Sequence, residues 1–173
     1  MKFLKGRKGF TLIELLIVIT IIGVLAVALV PRIVGAPSKA RDAARKADLQ
    51  QIATGLELYA DSNSGKYQTT DISTAECISA GVAADMTGAG ALSTVPEDPQ
   101  SNGTTPCYEV RTWDSGGNFI IWATVENNAD NIPGLYSTDP SGVTLADNAS
   151  DVLDSMTACT AATTGDCYYA IAR

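Results

Sequence analysis

The chain has 173 residues, 46% of them hydrophobic, and a formal net charge of −7 with no histidine. This length predicts a single domain, and the lack of histidine excludes histidine-based acid–base chemistry and histidine metal ligands. From Tyr67 onward, fourteen Asp and Glu residues stand against only two arginines, Arg111 and Arg173. So acidic a region excludes nucleic-acid binding, which depends on basic patches.

A short basic segment precedes a long apolar one. Residues 1–9 carry four positive charges and no acid, and residues 10–30 are predominantly Leu, Ile, Val and Ala. As a helix, the apolar segment would span about 31 Å, which matches the ~30 Å hydrocarbon core of a bilayer. Positive charges before such a segment predict a cytoplasmic N-terminus and a single pass through the cytoplasmic membrane.

Glu14 interrupts the apolar segment about one helical turn from its start. A carboxylate in a membrane segment costs about 2.5–3.5 kcal/mol at the helix centre and indicates a functional site whose partner must be named. Three interpretations are open. The segment is a signal peptide cleaved near residues 26–28, or a plain signal anchor in which Glu14 is incidental. Alternatively, cleavage after Gly9 frees the amine of Phe10 as the partner.

The stretch from Lys8 to Glu14, KGFTLIE, resembles the class III signal of type IV pilins and type II secretion pseudopilins. The resemblance implies that a prepilin peptidase recognises Lys8 and Gly9, cuts after Gly9 and methylates Phe10. It also implies that Phe10, Glu14 and Pro31 take part in subunit assembly. A neighbouring subunit, shifted along a fibre axis, would offer its Phe10 ammonium to Glu14, so that a homopolymer with a defined stagger forms.

Helical periodicity returns after Pro31, which lacks a backbone donor and predicts a kink between residues 27 and 31. Residues 31–60 are predicted to continue as an amphipathic helix into a globular head, residues 61–173. The apolar stripe of this helix is predicted to pack on the sheet of the head. The stripe consists of Leu49, Ile52, Leu56 and Tyr59.

The sequence does not determine the role of two features of the amphipathic helix. A basic cluster precedes the apolar stripe and is interpreted as a solvated face, as a contact to lipid headgroups, or as a contact to the acidic heads of neighbouring subunits. It consists of Lys39, Arg41, Arg45 and Lys46. Gly55 costs about 1 kcal/mol relative to alanine inside a helix, and nothing in the sequence accounts for it.

The head is predicted to contain a small antiparallel sheet. Residues 107–126 alternate in hydrophobicity on either side of the turn formers 114–117 and predict a β-hairpin. A further strand is predicted over residues 167–172, and a short helix over residues 74–79. Two or three strands covered by one helix are expected to bury one core and not two. The predicted fold class is therefore α+β, a long N-terminal helix packed on a small antiparallel sheet, as in the pilin fold.

Four cysteines lie in the region expected outside the membrane, at positions 77, 107, 159 and 167. An even number there predicts two disulfides. We favour a short loop closed by Cys159 and Cys167, and a bond between Cys77 and Cys107. Free thiols and a metal site are the alternatives, but zinc is disfavoured because neither a CxxC spacing nor a histidine occurs.

The sequence predicts no enzymatic activity. It contains neither a GxSxG motif nor a phosphate-binding glycine-rich motif. Glu97 and Asp98 are adjacent carboxylates between two prolines, and we interpret them as part of a solvated loop.

Calcium is the one ion that the resemblance suggests. Major pseudopilins bind it in a loop after the sheet hairpin, and this chain offers Glu126 and Asp130 there. The segment does not match an EF-hand, so the alternative is a polar surface turn without a metal. No other cofactor is expected.

Together these patterns predict a structural subunit of a bacterial type IV pilus, with a leader of residues 1–9 and a polymerisation helix of residues 10–30. The alternatives are a major pseudopilin of a type II secretion system and a membrane-anchored surface binding protein. The expected partners are copies of the same chain, prepilin peptidase, an inner-membrane assembly platform and the lipid bilayer. The expected location is the cytoplasmic membrane before assembly and an extracellular fibre afterwards.

Overall fold

A computed structural model describes most of the chain. The described residues are 9–34, 36–68, 71–78, 81–102, 106–127, 134–144, 149–157 and 166–173. The side chains of residues 28–34 and 149–151 are outside this description. The chain divides into two compact units, Met1–Pro37 and Ser38–Arg173, and each is described by itself.

The first unit is built on helix α1, Leu12–Val34. Its backbone stays helical across Pro31. Large hydrophobic side chains are exposed all round the described part of the helix, from 49% for Ile17 to 83% for Leu12. A helix that is apolar on every side normally lies inside a protein or a membrane.

Among the residues whose side chains are described, no helix is both long enough and apolar enough to cross a membrane.

The second unit contains most of helix α2, Ala36–Ser62. The predicted apolar stripe is confirmed, since Leu49, Ile52 and Leu56 are fully buried and Tyr59 is partly buried against the same core. The 3-4-3 spacing places these side chains on one helix face, and that face packs against the sheet.

The sheet has five antiparallel strands in the order β1-β2-β3-β5-β4. They are β1 Glu76–Cys77, β2 Glu109–Trp113, β3 Asn118–Val125, β4 Leu135–Tyr136 and β5 Cys167–Ala172. The predicted hairpin (β2 and β3) and the predicted strand over 167–172 are confirmed, but the expectation of two or three strands was too low. The two missed strands have two residues each, which is too short for a period-2 pattern.

Two short helices complete the described elements, α3 Val82–Gly88 and α4 Ala149–Asp154, together with a 3₁₀ turn at Pro140–Gly142. The helix predicted over residues 74–79 is wrong, because Glu76 and Cys77 form β1 and pair with β2. Hydrogen bonding to a neighbouring strand overrides the weak local helix signal there.

Both faces of the sheet are buried, so the expectation of a single core is wrong. On one face, Phe119 and Ile121 pack with Leu49 of α2 and its neighbours. On the other face, Ile120 and Trp122 pack with a second group of apolar residues, Val152, Met156 and Ala170. The near-continuous apolar run of β3 is typical of a strand covered on both sides.

The turn between β2 and β3 is tied to the segment that follows α2. Gly116 has a φ of +79°, and a Cβ atom there would overlap the backbone carbonyl of Gln68. The carbonyl of Gly116 accepts from the Tyr67 amide at 2.8 Å. The amide of Gly116 donates to Asp71 Oδ1 at 2.8 Å. Glycine is required here by both the backbone conformation and the close approach.

The predicted disulfide between Cys77 and Cys107 is confirmed. The two cysteines are 30 residues apart in the sequence. Cys167 is also disulfide-bonded. Its predicted partner Cys159 lies outside the described residues, so that pairing stays a prediction.

Candidate functional site: the helix start and the head cluster

The start of α1 is organised by Thr11 and Glu14. The amide and the hydroxyl of Thr11 both donate to Glu14 Oε2, each at 2.8 Å. The amide of Glu14 donates back to Thr11 Oγ1 at 3.3 Å. This is a capping box, in which two backbone donors of the first helical turn find side-chain acceptors.

The capping box gives Glu14 a local role that the sequence analysis missed. The T-x-x-E spacing before an apolar run is itself a capping-box signature, so the signal was present in the sequence. Both donations go to Oε2, and among the described residues no cation lies within ion-pair distance of this carboxylate. Its negative charge is therefore not neutralised within the described part of the subunit.

The predicted processing site precedes the helix and is exposed. Gly9, Phe10 and Thr11 are non-helical, and Phe10 is 89% exposed. A peptidase needs an accessible backbone that is not held in a helix, and the Gly9–Phe10 bond meets both conditions. Lys8 lies outside the described residues, as does the side chain of Pro31.

A second polar site, the arginine cluster, lies in the head. We define it as Arg41, Asp42, Arg45, Asp98 and Glu126. Arg45 is 2% exposed and binds Asp98 with Nε at 2.7 Å and Nη2 at 3.2 Å. Its Nη1 donates to Asp42 and Glu126, each at 2.9 Å.

Arg41 completes the cluster from the surface. Its Nε donates to Glu126 Oε1 at 2.7 Å, and its Nη2 donates to Glu126 Oε2. The hydrogen bond from Arg41 lowers the pKa of Glu126 to about 2, and Arg45 adds to this effect. Burial lowers the pKa of Arg45, but its hydrogen bonds to Asp98 and Glu126 outweigh burial and raise it overall. The salt bridges of Glu126 with Arg41 and Arg45 therefore persist at neutral pH.

The cluster corrects two interpretations made from the sequence. Arg45 is not part of a solvated face, and Asp98 is not in a solvated loop, since it is only 5% exposed. One signal was available: Arg45 lies four residues before Leu49 and so falls on the apolar stripe of α2. A charged residue on a buried face requires a buried partner.

Glu126 and Asp130 are the two calcium candidates from the sequence. Both carboxylate oxygens of Glu126 accept from arginines, and Asp130 lies outside the described residues. Within the described ranges, no group of three or more Asp, Glu or Cys side chains is placed to hold a metal.

Comparisons with known proteins agree with the motif at the helix start. Residues 4–30 match the family model described as the prokaryotic N-terminal methylation motif. The type II secretion system core protein G of Escherichia coli is 33% identical over 100 residues, covering 56% of this chain and 68% of that protein. Core protein G of Pseudomonas aeruginosa is 38% identical over 55 residues, covering 32% of this chain and 39% of that protein.

A pilus protein is also similar. The type IV wide pilus major component PilA4 of Thermus thermophilus is 45% identical over 62 residues, covering 35% of this chain and 47% of that protein. The matched regions thus span less than half of the Pseudomonas and Thermus relatives. No solved structure matches the chain.

The exposed apolar helix, its capped glutamate and the antiparallel head are those of an α+β, pilin-like protein with a class III signal. The chain belongs to the family of type IV pilins and type II secretion pseudopilins. Members of this family are structural proteins, not enzymes. Membership implies processing by a prepilin peptidase, anchoring in the inner membrane before assembly, and polymerisation.

Proposed function

We propose that this chain is cut after Gly9, methylated on Phe10 and assembled into a helical homopolymer through α1. The observation that carries the proposal is the surface of α1, where every large hydrophobic side chain described is at least 49% exposed. Such a surface is unstable in water and needs a covering partner. Lipid would cover it before assembly, and the helices of other copies would cover it in the fibre.

We propose that Glu14 fixes the axial position of each subunit in this fibre. Its charge lacks a cation among the described residues of its own subunit, and a carboxylate held in an apolar environment is costly without one. Cleavage after Gly9 would create an ammonium on Phe10. In an axially shifted neighbour this ammonium would pair with Glu14, so that each added subunit is held at a defined height.

Two substitutions separate the capping role of Glu14 from its charge. Glu14→Gln keeps an acceptor for Thr11, because glutamine also serves in capping boxes, but it removes the negative charge. Glu14→Ala removes both. We expect both variants to be cut after Gly9 and both to lose filaments, as judged by electron microscopy of sheared fibres. If Glu14→Gln assembles like the wild type, pairing by charge is wrong.

Mass spectrometry of the mature N-terminus tests the processing step. The expected product begins with N-methylated Phe10. A product that begins at Met1 would instead favour a membrane-anchored binding protein that acts through its head alone. A product that begins near Leu29 would indicate an ordinary signal peptide.

For the machine that uses the fibre, we propose a type II secretion system, with this chain as its major pseudopilin. The support is that a relative 33% identical over 56% of this chain is a type II secretion system core protein G. A type IV pilus is the second candidate, supported by the 45% identity to a pilus component. Deletion of the gene distinguishes the two: loss of protein export with surface pili intact supports the first, and loss of pili with export intact supports the second.

A further inference from the structure

The arginine cluster joins three segments that are far apart in sequence. Arg41, Asp42 and Arg45 lie on α2, Asp98 lies between two prolines, and Glu126 follows β3. Arg45 and Asp98 are separated by 53 residues, and Arg41 and Glu126 by 85. The side chain of Arg45 also donates to Gln100 Oε1 at 2.8 Å. One guanidinium therefore contacts all three segments.

Asp42 fixes the chain where it leaves β3. Its Oδ1 accepts from the Glu126 amide at 2.9 Å, and its Oδ2 accepts from the Asn127 amide at 3.0 Å. The side-chain amide of Asn127 donates to Oδ2 at 2.6 Å. Since Asp42 also binds Arg45, the backbone after β3 is held to α2 through a carboxylate whose acceptor sites are already used.

These contacts do not suit a divalent cation at Glu126. The resemblance to major pseudopilins implies calcium in this loop, and calcium takes six to eight oxygen ligands. Both oxygens of Glu126 accept from guanidinium groups, and both oxygens of Asp42 accept from N–H donors. Two positive charges next to Glu126 would repel a cation.

We propose that Arg41 and Arg45 fill the structural place of a divalent cation in this head. They form ion pairs with the carboxylates of Asp42, Asp98 and Glu126 and tie the exit of β3 to α2. The stability of the head is therefore independent of calcium. The cluster lies within one subunit, so its contribution to stability is separate from polymerisation and from the choice between pilus and secretion system.

Thermal unfolding of the full chain in detergent micelles tests the proposal. The melting temperature is followed by circular dichroism in 1 mM CaCl₂ and in 5 mM EDTA. We expect the two values to agree within about 1 °C. A calcium site with a dissociation constant near 10 µM would raise the melting temperature by about 5 °C or more under these conditions, and such a rise would overturn the proposal.

A pair of matched variants tests the cross-link itself. Arg41→Gln removes one charge and two hydrogen bonds to Glu126, whereas Lys39→Gln removes one charge from an exposed side chain on the same helix. We expect the melting temperature of Arg41→Gln to fall several degrees further than that of Lys39→Gln. Arg41 is at the surface, so its loss leaves the core intact and the variant foldable. Equal melting temperatures for the two variants would contradict the proposal whether or not filaments form.

Discussion

Gly55 of α2 and Leu92, in the segment after α3, approach so closely that no side chain fits between them. A Cβ atom on Gly55 would lie 2.5 Å from Leu92 Cδ1 and 2.6 Å from its Cγ. Leu92 is partly buried against the core that contains Leu56 and Ile52. Gly55 lowers the stability of the helix, but the absence of a side chain there leaves room for Leu92 to pack in that core.

This contact predicts the sign of the substitution Gly55→Ala. Helix propensity alone would raise the free energy of unfolding by about 1 kcal/mol, but an extra methyl group in a packed core costs about 1–3 kcal/mol. We expect a net decrease of roughly 1 kcal/mol, measured by urea unfolding. In a Leu92→Ala background the clash is absent, and the same substitution should raise stability by about 1 kcal/mol. A gain from Gly55→Ala alone would show that Leu92 moves aside at little cost.

The disulfide between Cys77 and Cys107 fastens a short edge strand. Strand β1 has only two residues paired with β2, extended by one hydrogen bond from the Ile78 amide to the Tyr108 carbonyl at 2.8 Å. For a loop of 30 residues, the chain-entropy model assigns a stabilisation of about 3–4 kcal/mol. We expect the double substitution Cys77→Ser, Cys107→Ser to lower the free energy of unfolding by up to this amount.

Hydrogen exchange locates the effect of the lost disulfide. The Ile78 amide should exchange much faster in the double variant, while the Ile121 amide in the central strand should keep most of its protection. Substitution is preferable to a reducing agent because it leaves the disulfide of Cys167 in place. Equal acceleration at both amides would mean that the bond stabilises the whole head rather than the edge.

Acid should weaken the contact of Glu126 with the arginines. Its pKa falls from 4.5 to about 2 on folding, chiefly through the hydrogen bond from Arg41. A pKa that is lower in the folded state stabilises the protein above pH 4.5, and this contribution is lost as the pH falls towards 2. We therefore expect Glu126→Gln to melt below the wild type at pH 7 and the difference to vanish near pH 2.

Glu97→Gln is the matched control for this experiment. It removes the same charge from an exposed side chain that neighbours Asp98, and its melting temperature at pH 7 should stay within about 1 °C of the wild type. A difference between Glu126→Gln and the wild type that stays constant down to pH 2 would contradict a role for the Glu126 charge.

Local patterns in the sequence were sufficient for the elements whose periodicity extends over many residues. The apolar run of α1, the stripe on α2, the β2–β3 hairpin and strand β5 were each predicted from local sequence patterns. The KGFTLIE motif identified the family because its basic, glycine and glutamate positions are constrained together. All these signals lie within one element or one short motif, so a linear reading detects them.

Only the tertiary structure determined which distant residues meet. Three contacts join segments that are far apart in the sequence. They are the ion pair of Arg45 with Asp98, the packing of Leu92 beside Gly55, and the second core around Trp122. In the first two cases a residue that is unfavourable in its own element, a buried charge or a glycine in a helix, is compensated by a partner from another element. Periodicity indicates which face of an element is buried, but only packing decides what covers it.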